Sequence, residues 1–358
     1  MNPAPIEGGS ARADTAVRPV PPPRGAPTTD ERLRQTSFFG SLLRRPEFAA
    51  VSGVILVFAL FGVTAGSSGM FQPDGIVNWM QVASYLGIIA VGACLLMIAG
   101  EFDLSLGSMI LGGLNGYLVL RTRLPSFIVT LASLFILRGL TLALSVRFAN
   151  RTVISGVGDL VEKDWLASTF FQGVVGGGLF RWMAQRGWIT ALSSGDPLVA
   201  GVPKVVVWWF ALALVGSLIL ARTRYGNWIF ASGGDANAAR NVGVPVRGVK
   251  ISLFVFTAFC ACVFAVLQVC DIGSASADRG LQKEFEAIIA AVIGGCLLTG
   301  GYGSVVGACC GALIFGVVQI GITYTNISSD WFRVFLGAML LVAVLFNNFV
   351  RQRLAQAR

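Results

Sequence analysis

The sequence predicts an all-α fold, a polytopic transmembrane helical bundle, and three observations carry that expectation. Hydrophobic residues make up 55% of the 358-residue chain and charged residues only 13%, about half the charge of a soluble domain. The apolar residues are gathered in blocks of about 17–22, the length that crosses a hydrocarbon layer at 1.5 Å per residue. Glycine occurs 44 times, and small residues let membrane helices approach where no hydrophobic effect drives them together.

Residues 1–46 include Pro19-Val20-Pro21-Pro22-Pro23, Arg32 and Arg34. They lack apolar periodicity and are expected to form a disordered cytoplasmic tail. The block at about 48–66 is too long for the core of a signal peptide, and no small-residue cleavage site is evident behind it. It is therefore expected to stay as the first spanning helix. Further blocks fall at about 82–100, 104–120, 126–145, 205–221, 251–269, 287–299, 303–324 and 332–350. That makes nine hydrophobic segments, read as helices because lipid offers unpaired backbone no partner. The 287–299 block is short and closed by Gly300-Gly301, the pattern of a half-helix. Residues 47–350 thus form one transmembrane domain, followed by a cytoplasmic tail at 351–358. The insertion at 146–204 is expected outside the membrane. It carries Asp159, Glu162, Asp164 and an apolar piece, 170–182, broken by Gly176-Gly177-Gly178. It reads either as a lid with an interfacial helix or as a docking surface for an external partner.

Charge then orients the chain. The net charge of +9 sits mostly in clusters flanking apolar blocks: Arg44-Arg45, Arg121 and Arg123, the stretch from Arg222 to Lys250, and Arg351 with Arg353. Such clusters mark cytoplasmic loops, so the lipid bilayer accounts for the basic balance and no nucleic acid partner is expected. The linkers 67–79 and 322–331 hold no Lys or Arg and fit the outer side. Two cytoplasmic clusters, at 44–45 and 121–123, require an even number of crossings between them, yet three blocks intervene. The short 104–120 block is therefore expected to enter the bilayer and turn back at its glycines, or to lie tilted against the bundle, without emerging on the far face.

Composition also limits the chemistry. The chain has no histidine, which removes the commonest general base and metal ligand. Its seven cysteines form no CxxC pair and read as packing residues. There is no Gly-x-x-x-x-Gly-Lys-[Ser/Thr], so no triphosphate is cradled here and no cofactor is expected on this chain. An ion-coupled secondary transporter of a small polar solute stays open as an alternative, although ionisable residues inside the blocks are few, Arg138 chief among them. A charge-poor pathway suits a neutral, polyhydroxylated ligand. Ser105, Ser108, Asn115, Thr130 and Gln268 offer it hydrogen-bond partners, while Asp103, Glu284 and Glu286 stand at helix entrances as caps or path-lining groups.

Several segments carry a family resemblance. Gly100-Glu101-Phe102-Asp103-Leu104-Ser105-Leu106-Gly107-Ser108 resembles the G-[GE]-[IF]-D-L-S-[VL]-G-S segment of ribose- and xylose-type ABC importer permeases. Gly113-Leu114-Asn115-Gly116, Pro125-Ser126-Phe127-Ile128-Val129-Thr130-Leu131, Arg138-Gly139, Thr223-Arg224-Tyr225-Gly226 and Glu284-Phe285-Glu286-Ala287-Ile288 follow in the family's order, as do Gly294-Gly295 and Gly300-Gly301-Tyr302-Gly303. The resemblance implies a permease of the bacterial inner membrane that moves a simple sugar, whether pentose, hexose or inositol-like. It implies a homodimer of permeases, a cytoplasmic ABC ATPase subunit that binds ATP, and a periplasmic or extracellular sugar-binding protein. The family carries a further membrane stretch that this chain lacks between Ser108 and Gly112, so two helices look fused into one. That gap coincides with the crossing that charge parity removes.

The loop 222–250 has its own local logic. Asp235-Ala236-Asn237-Ala238-Ala239-Arg240 favours a short helix with Asp235 as N-cap, ended by Gly243. By resemblance it is a coupling helix, with Gly234, Asp235, Asn237, Ala238, Ala239, Arg240 and Gly243 at the ATPase contact. Asn237 stands where the family usually has an acidic residue.

Overall fold

Helices account for each of the nine apolar blocks. The computed structural model describes residues 46–105, 109–325, 327–328 and 330–356. The expected tail at 1–45, the candidate Ser108 and residues 357–358 lie outside the described residues. In chain order the block helices are α1 (Pro46–Thr64), α2 (Pro73–Ile98), α3 (Met109–Thr122), α4 (Ser126–Ala149), α7 (Lys204–Arg222), α10 (Val246–Ile272), α11 (Lys283–Ile293), α12 (Val305–Tyr324) and α13 (Trp331–Gln356). Short α5 (Val157–Lys163) and α6 (Gly177–Gln185) belong to the insertion, and α8 (Arg224–Gly234) and α9 (Ala236–Asn241) to the basic loop. Among the described residues, α2, α4, α7, α10 and α12 are long and apolar enough to cross a membrane.

Helix α2 starts nine residues before the apolar block because Pro73 takes its first turn beside Asp74, a favoured arrangement at a helix start. The polar Asn78 and Gln81 conceal that turn from a hydropathy reading. Helix α13 continues through Gln356, so most of the expected tail at 351–358 is helical.

The core is built around α2, which is buried along most of its length against α7, α10, α11 and α12. Glycine makes the closest of these approaches possible, since a Cβ on Gly311 of α12 would sit 1.9 Å from the Ala290 carbonyl oxygen of α11. By contrast α4 is mostly exposed, with Phe135, Ile136 and Phe148 at 65%, 68% and 80%. That surface is suited to lipid.

Helix α3 has 14 residues, about 21 Å of rise against the roughly 30 Å of a hydrocarbon core. Its neighbours fix its place. A Cβ on Gly112 would touch Ala258, near the middle of α10, and one on Gly116 would meet Ile251. Val119 packs in one cluster with Val249 and Leu253 at the start of α10. The helix therefore runs antiparallel to α10 along half its length. Glu101 meets Lys250 at that same end of α10, so the chain climbs from residue 101 to the mid-height of the bundle and returns by Thr122.

The insertion folds over the opposite end. Its strand β1 (Val153–Ser155) pairs antiparallel with β4 (Ser274–Ser276), and β2 (Val174–Val175) with β3 (Val202–Pro203). Lys204 Nζ donates to the carbonyls of Ser168 and Thr169 at 2.7 and 2.8 Å, and Trp208 Nε1 to that of Phe170 at 2.9 Å. Stacking of Phe171 on Trp208 completes the anchor to α7.

Candidate functional site

Two regions concentrate polar chemistry, one toward each end of the bundle. The first is α9. Asp235 Oδ1 accepts from the backbone N–H of Asn237 at 2.8 Å and of Ala238 at 3.0 Å. The Ala238 and Asn237 amides hold its carboxyl below the usual carboxylate range. At the far end the N–H of Gly243 donates to Arg240 and that of Val244 to Ala239, with Gly243 at φ 85°. These two bonds form a Schellman motif, which favours glycine at the left-handed position. The helix predicted from Asp235 and Gly243 is present with both caps. Ala239 packs inward, while Asn237, Ala238, Arg240 and Val242 project outward, Val242 at 79% exposure.

Helix α8, which leads into α9, is joined to the bundle through backbone. Gly301 N–H donates to the Ile98 carbonyl at 2.8 Å. A Cβ on Gly233 would lie 1.8 Å from that same oxygen, and one on Gly300 would lie 2.7 Å from Gly100 Cα. The ends of α2 and α8 and the 294–304 loop therefore meet with no side chain between them. Beside this junction Lys250 Nζ and Glu101 Oε1 are 2.5 Å apart, both groups nearly buried. The two residues are 149 positions apart, and no local pattern pairs them.

The second region is a set of adjoining cavities. One of about 380 Å³ lies above the N-terminal end of α3, lined by Ser105, Arg138, Thr141, Lys283 and Glu284 among others. Ser105 Oγ donates to Asp103 Oδ1 at 2.7 Å and accepts from Asn115 Nδ2 at 2.7 Å, while Ser133 Oγ donates to Asn115 Oδ1 at 2.6 Å. Asp103, Ser105 and Asn115 thus form one buried network behind the cavity wall. Asp103 Oδ2 has no hydrogen-bond partner among the described residues. Arg138 faces the cavity and reaches Asp278 at 3.7 Å, so this cation in the 126–145 block has a polar environment.

Beyond Phe264 and Lys283 lies a smaller cavity of about 170 Å³, lined by Tyr85, Gln268, Glu286, Phe315 and Gln319 as well as those two residues. The structure thus brings Gln268 and Glu286 together in one cavity and places Glu284 in the other. Glu284 and Glu286 occupy the first turn of α11, where the helix dipole favours carboxylates. Thr130 differs from them: it is fully buried and its hydroxyl donates to the Ser126 carbonyl of its own helix at 2.9 Å. Tyr85, Lys283 and Gln319 were missed because no local motif marks them. Only their spacing on separate helices brings them to one place.

A bundle of lipid-length helices enclosing polar cavities, with a capped helix standing off one end, defines a membrane transport protein. Residues 75–344 match the family described as branched-chain amino acid transport system / permease component. The chain is 27% identical to the xylose transport system permease of Escherichia coli (strain K12), over 86% of this chain and 92% of the relative. It is 27% identical to the ribose import permease of Haemophilus influenzae, over 84% and 93%. A probable ABC transporter permease of Sinorhizobium fredii is 28% identical over 86% and 91%. No solved structure matches significantly. The chain belongs to this family of permease components: it is an inner-membrane transport subunit, and its work is translocation, not catalysis.

Proposed function

We propose that this chain is the membrane-spanning half of an ATP-driven importer for a simple sugar, pentose or hexose. Relatives named for xylose and ribose, aligned along more than four fifths of the chain, support the substrate class. A separate ATPase, carrying the ATP, docks on the exposed face of α9 around Arg240 and Val242. The backbone junction at Gly233 and Gly300 passes its movement to α2. A soluble sugar-binding protein delivers substrate at the end covered by the insertion, and two copies of the chain form one transporter. With 121–123 and 222–250 in the cytoplasm, α3 is a re-entrant segment, in keeping with its half-length path along α10. The cavities supply the pathway, with Ser105, Gln268, Glu284 and Glu286 on their walls.

One experiment tests the whole proposal. The chain is reconstituted in proteoliposomes with a candidate ABC ATPase and sugar-binding protein from the same genome, and uptake of labelled D-xylose and D-ribose is followed with and without ATP. ATP-dependent uptake that needs the binding protein is expected. Uptake driven by an ion gradient without the ATPase would overturn the proposal in favour of a secondary transporter.

A further inference from the structure

Resting on the sugar-importer reading, we propose that the cavity enclosed by α2, α10, α11 and α12 is a monosaccharide recognition site within a single chain. At about 170 Å³ it is well below the roughly 300–1,000 Å³ that drug-sized ligands occupy, and it suits one sugar ring. Phe264 and Phe315 are buried at its walls, and Tyr85 stands edge-on to Phe264 with centroids 5.8 Å apart. These rings offer apolar faces to the C–H side of a sugar.

The polar wall is matched to hydroxyl groups. Gln268 and Gln319 each present both a donor and acceptors, as a sugar hydroxyl does. Gln319 lines the cavity and its Oε1 is buried without a partner among the described residues, an unfavourable state that rotation of the amide toward a ligand O–H relieves. Lys283 and Glu286 close on each other at 2.5 Å, so the two charges compensate and the cavity favours a neutral ligand.

The same residues place the site on a route. Tyr85 OH donates to Asp271 Oδ2 at 2.8 Å and Gln81 Nε2 donates to the same oxygen at 2.7 Å. Gln81 and Asp271 also line a separate outer hollow of about 290 Å³, roofed by the insertion at 173–174 and 198–203. Tyr85 therefore divides the outer hollow from the recognition cavity. On the other side Phe264 and Lys283 divide it from the 380 Å³ cavity. Both neighbouring cavities reach the insertion end of the bundle, where β4 pairs with β1, so a sugar reaches the site past Tyr85 or past Phe264.

The test uses the purified full-length permease and the variants Gln319→Leu and Gln268→Leu, which keep shape and remove hydrogen bonding. Its thermal unfolding midpoint is measured with D-xylose, D-ribose and L-leucine in turn, and uptake KM is measured in the reconstituted importer. Stabilisation of the wild-type chain by a sugar, lost in both variants, is expected, together with a KM raised about tenfold. Sugar stabilisation equal in wild type and variants, or unchanged KM, overturns the cavity assignment and leaves the importer reading standing. Stabilisation by L-leucine alone overturns both. No stabilisation by any of the three overturns recognition by the permease itself, and ATP-driven sugar uptake would then keep the importer reading intact. Gln268 is only partly buried, so its variant keeps the test decisive if Gln319→Leu does not fold.

Discussion

Lys250 Nζ lies 2.5 Å from Glu101 Oε1 with both side chains nearly buried, which pins the N-terminal part of α10 to the chain just beyond α2. Removing one partner leaves a buried charge uncompensated, at a cost of about 3–5 kcal/mol. Lys250→Met and Glu101→Gln are each expected to lower the unfolding temperature by several degrees. The double variant should lose less than the sum of the two. A double-mutant cycle on detergent-solubilised permease checks this, and strictly additive losses would show that the two charges do not interact.

Gly233 and its neighbour Gly234 make a sharper comparison. A methyl group at Gly233 would collide with the Ile98 carbonyl and the Gly301 nitrogen at 1.8 and 2.7 Å, whereas nothing lies within 4 Å of one at Gly234. Gly233→Ala is expected to abolish ATP-driven uptake or folded yield, because both contacts are rigid backbone. Gly234→Ala should leave folded yield near wild type, since its methyl group meets nothing. Equal behaviour of the two variants would remove the junction from the coupling path.

The Asp235 cap has a defined pH signature. Its carboxyl is lowered by the Ala238 and Asn237 amides, so the charged form is favoured in the folded loop. The cap's contribution is present above the ordinary carboxylate pKa and is lost as pH falls through the lowered folded value. ATPase binding should therefore be flat between about pH 6 and 8 with respect to this group. Asp235→Ala should weaken it several-fold, and Asp235→Asn much less, since asparagine caps nearly as well. Affinity measured by pull-down across pH checks both. Equal binding by wild type and Asp235→Ala would place the docking surface elsewhere.

Those three cases also show what can be read from sequence. The α9 caps were legible because an N-cap carboxylate and a left-handed glycine act within a few residues of chain. The membrane blocks were legible for the same reason, since hydropathy is a property of contiguous residues. Lys250 and Glu101 are 149 positions apart, and Gln319 and Gln268 share a cavity only because two separate helices face each other. No local pattern encodes such pairings. The start of α2 was hidden because Asp74, Asn78 and Gln81 sit in helical backbone at the outer hollow, where polarity is tolerated. Thr130 looked like a pathway group by type, but a threonine in a helix often bonds back to its own backbone.

The fate of α3 can be tested without transport. Arg121 and Arg123 close α3 with the same basic character as the loop 222–250, and a full crossing would put the two on opposite sides of the bilayer. The 14 described residues of α3 rise about 21 Å, against roughly 30 Å of hydrocarbon core, and they lie along only the half of α10 between Ala258 and Val249. Backbone that ends at mid-membrane needs protein or water around it. Here Asn115, buried at 1% exposure, supplies both a donor and an acceptor to Ser105 and Ser133. Single cysteines at Ser67, Thr122 and Gly234 are therefore expected to label differently with a membrane-impermeant maleimide, taking the unmodified chain as the blank. Ser67→Cys should react in intact cells, and Thr122→Cys and Gly234→Cys only after the inner face is opened. Reaction of Thr122→Cys in intact cells would mean that the segment spans the bilayer, and that the orientation of everything after it is reversed.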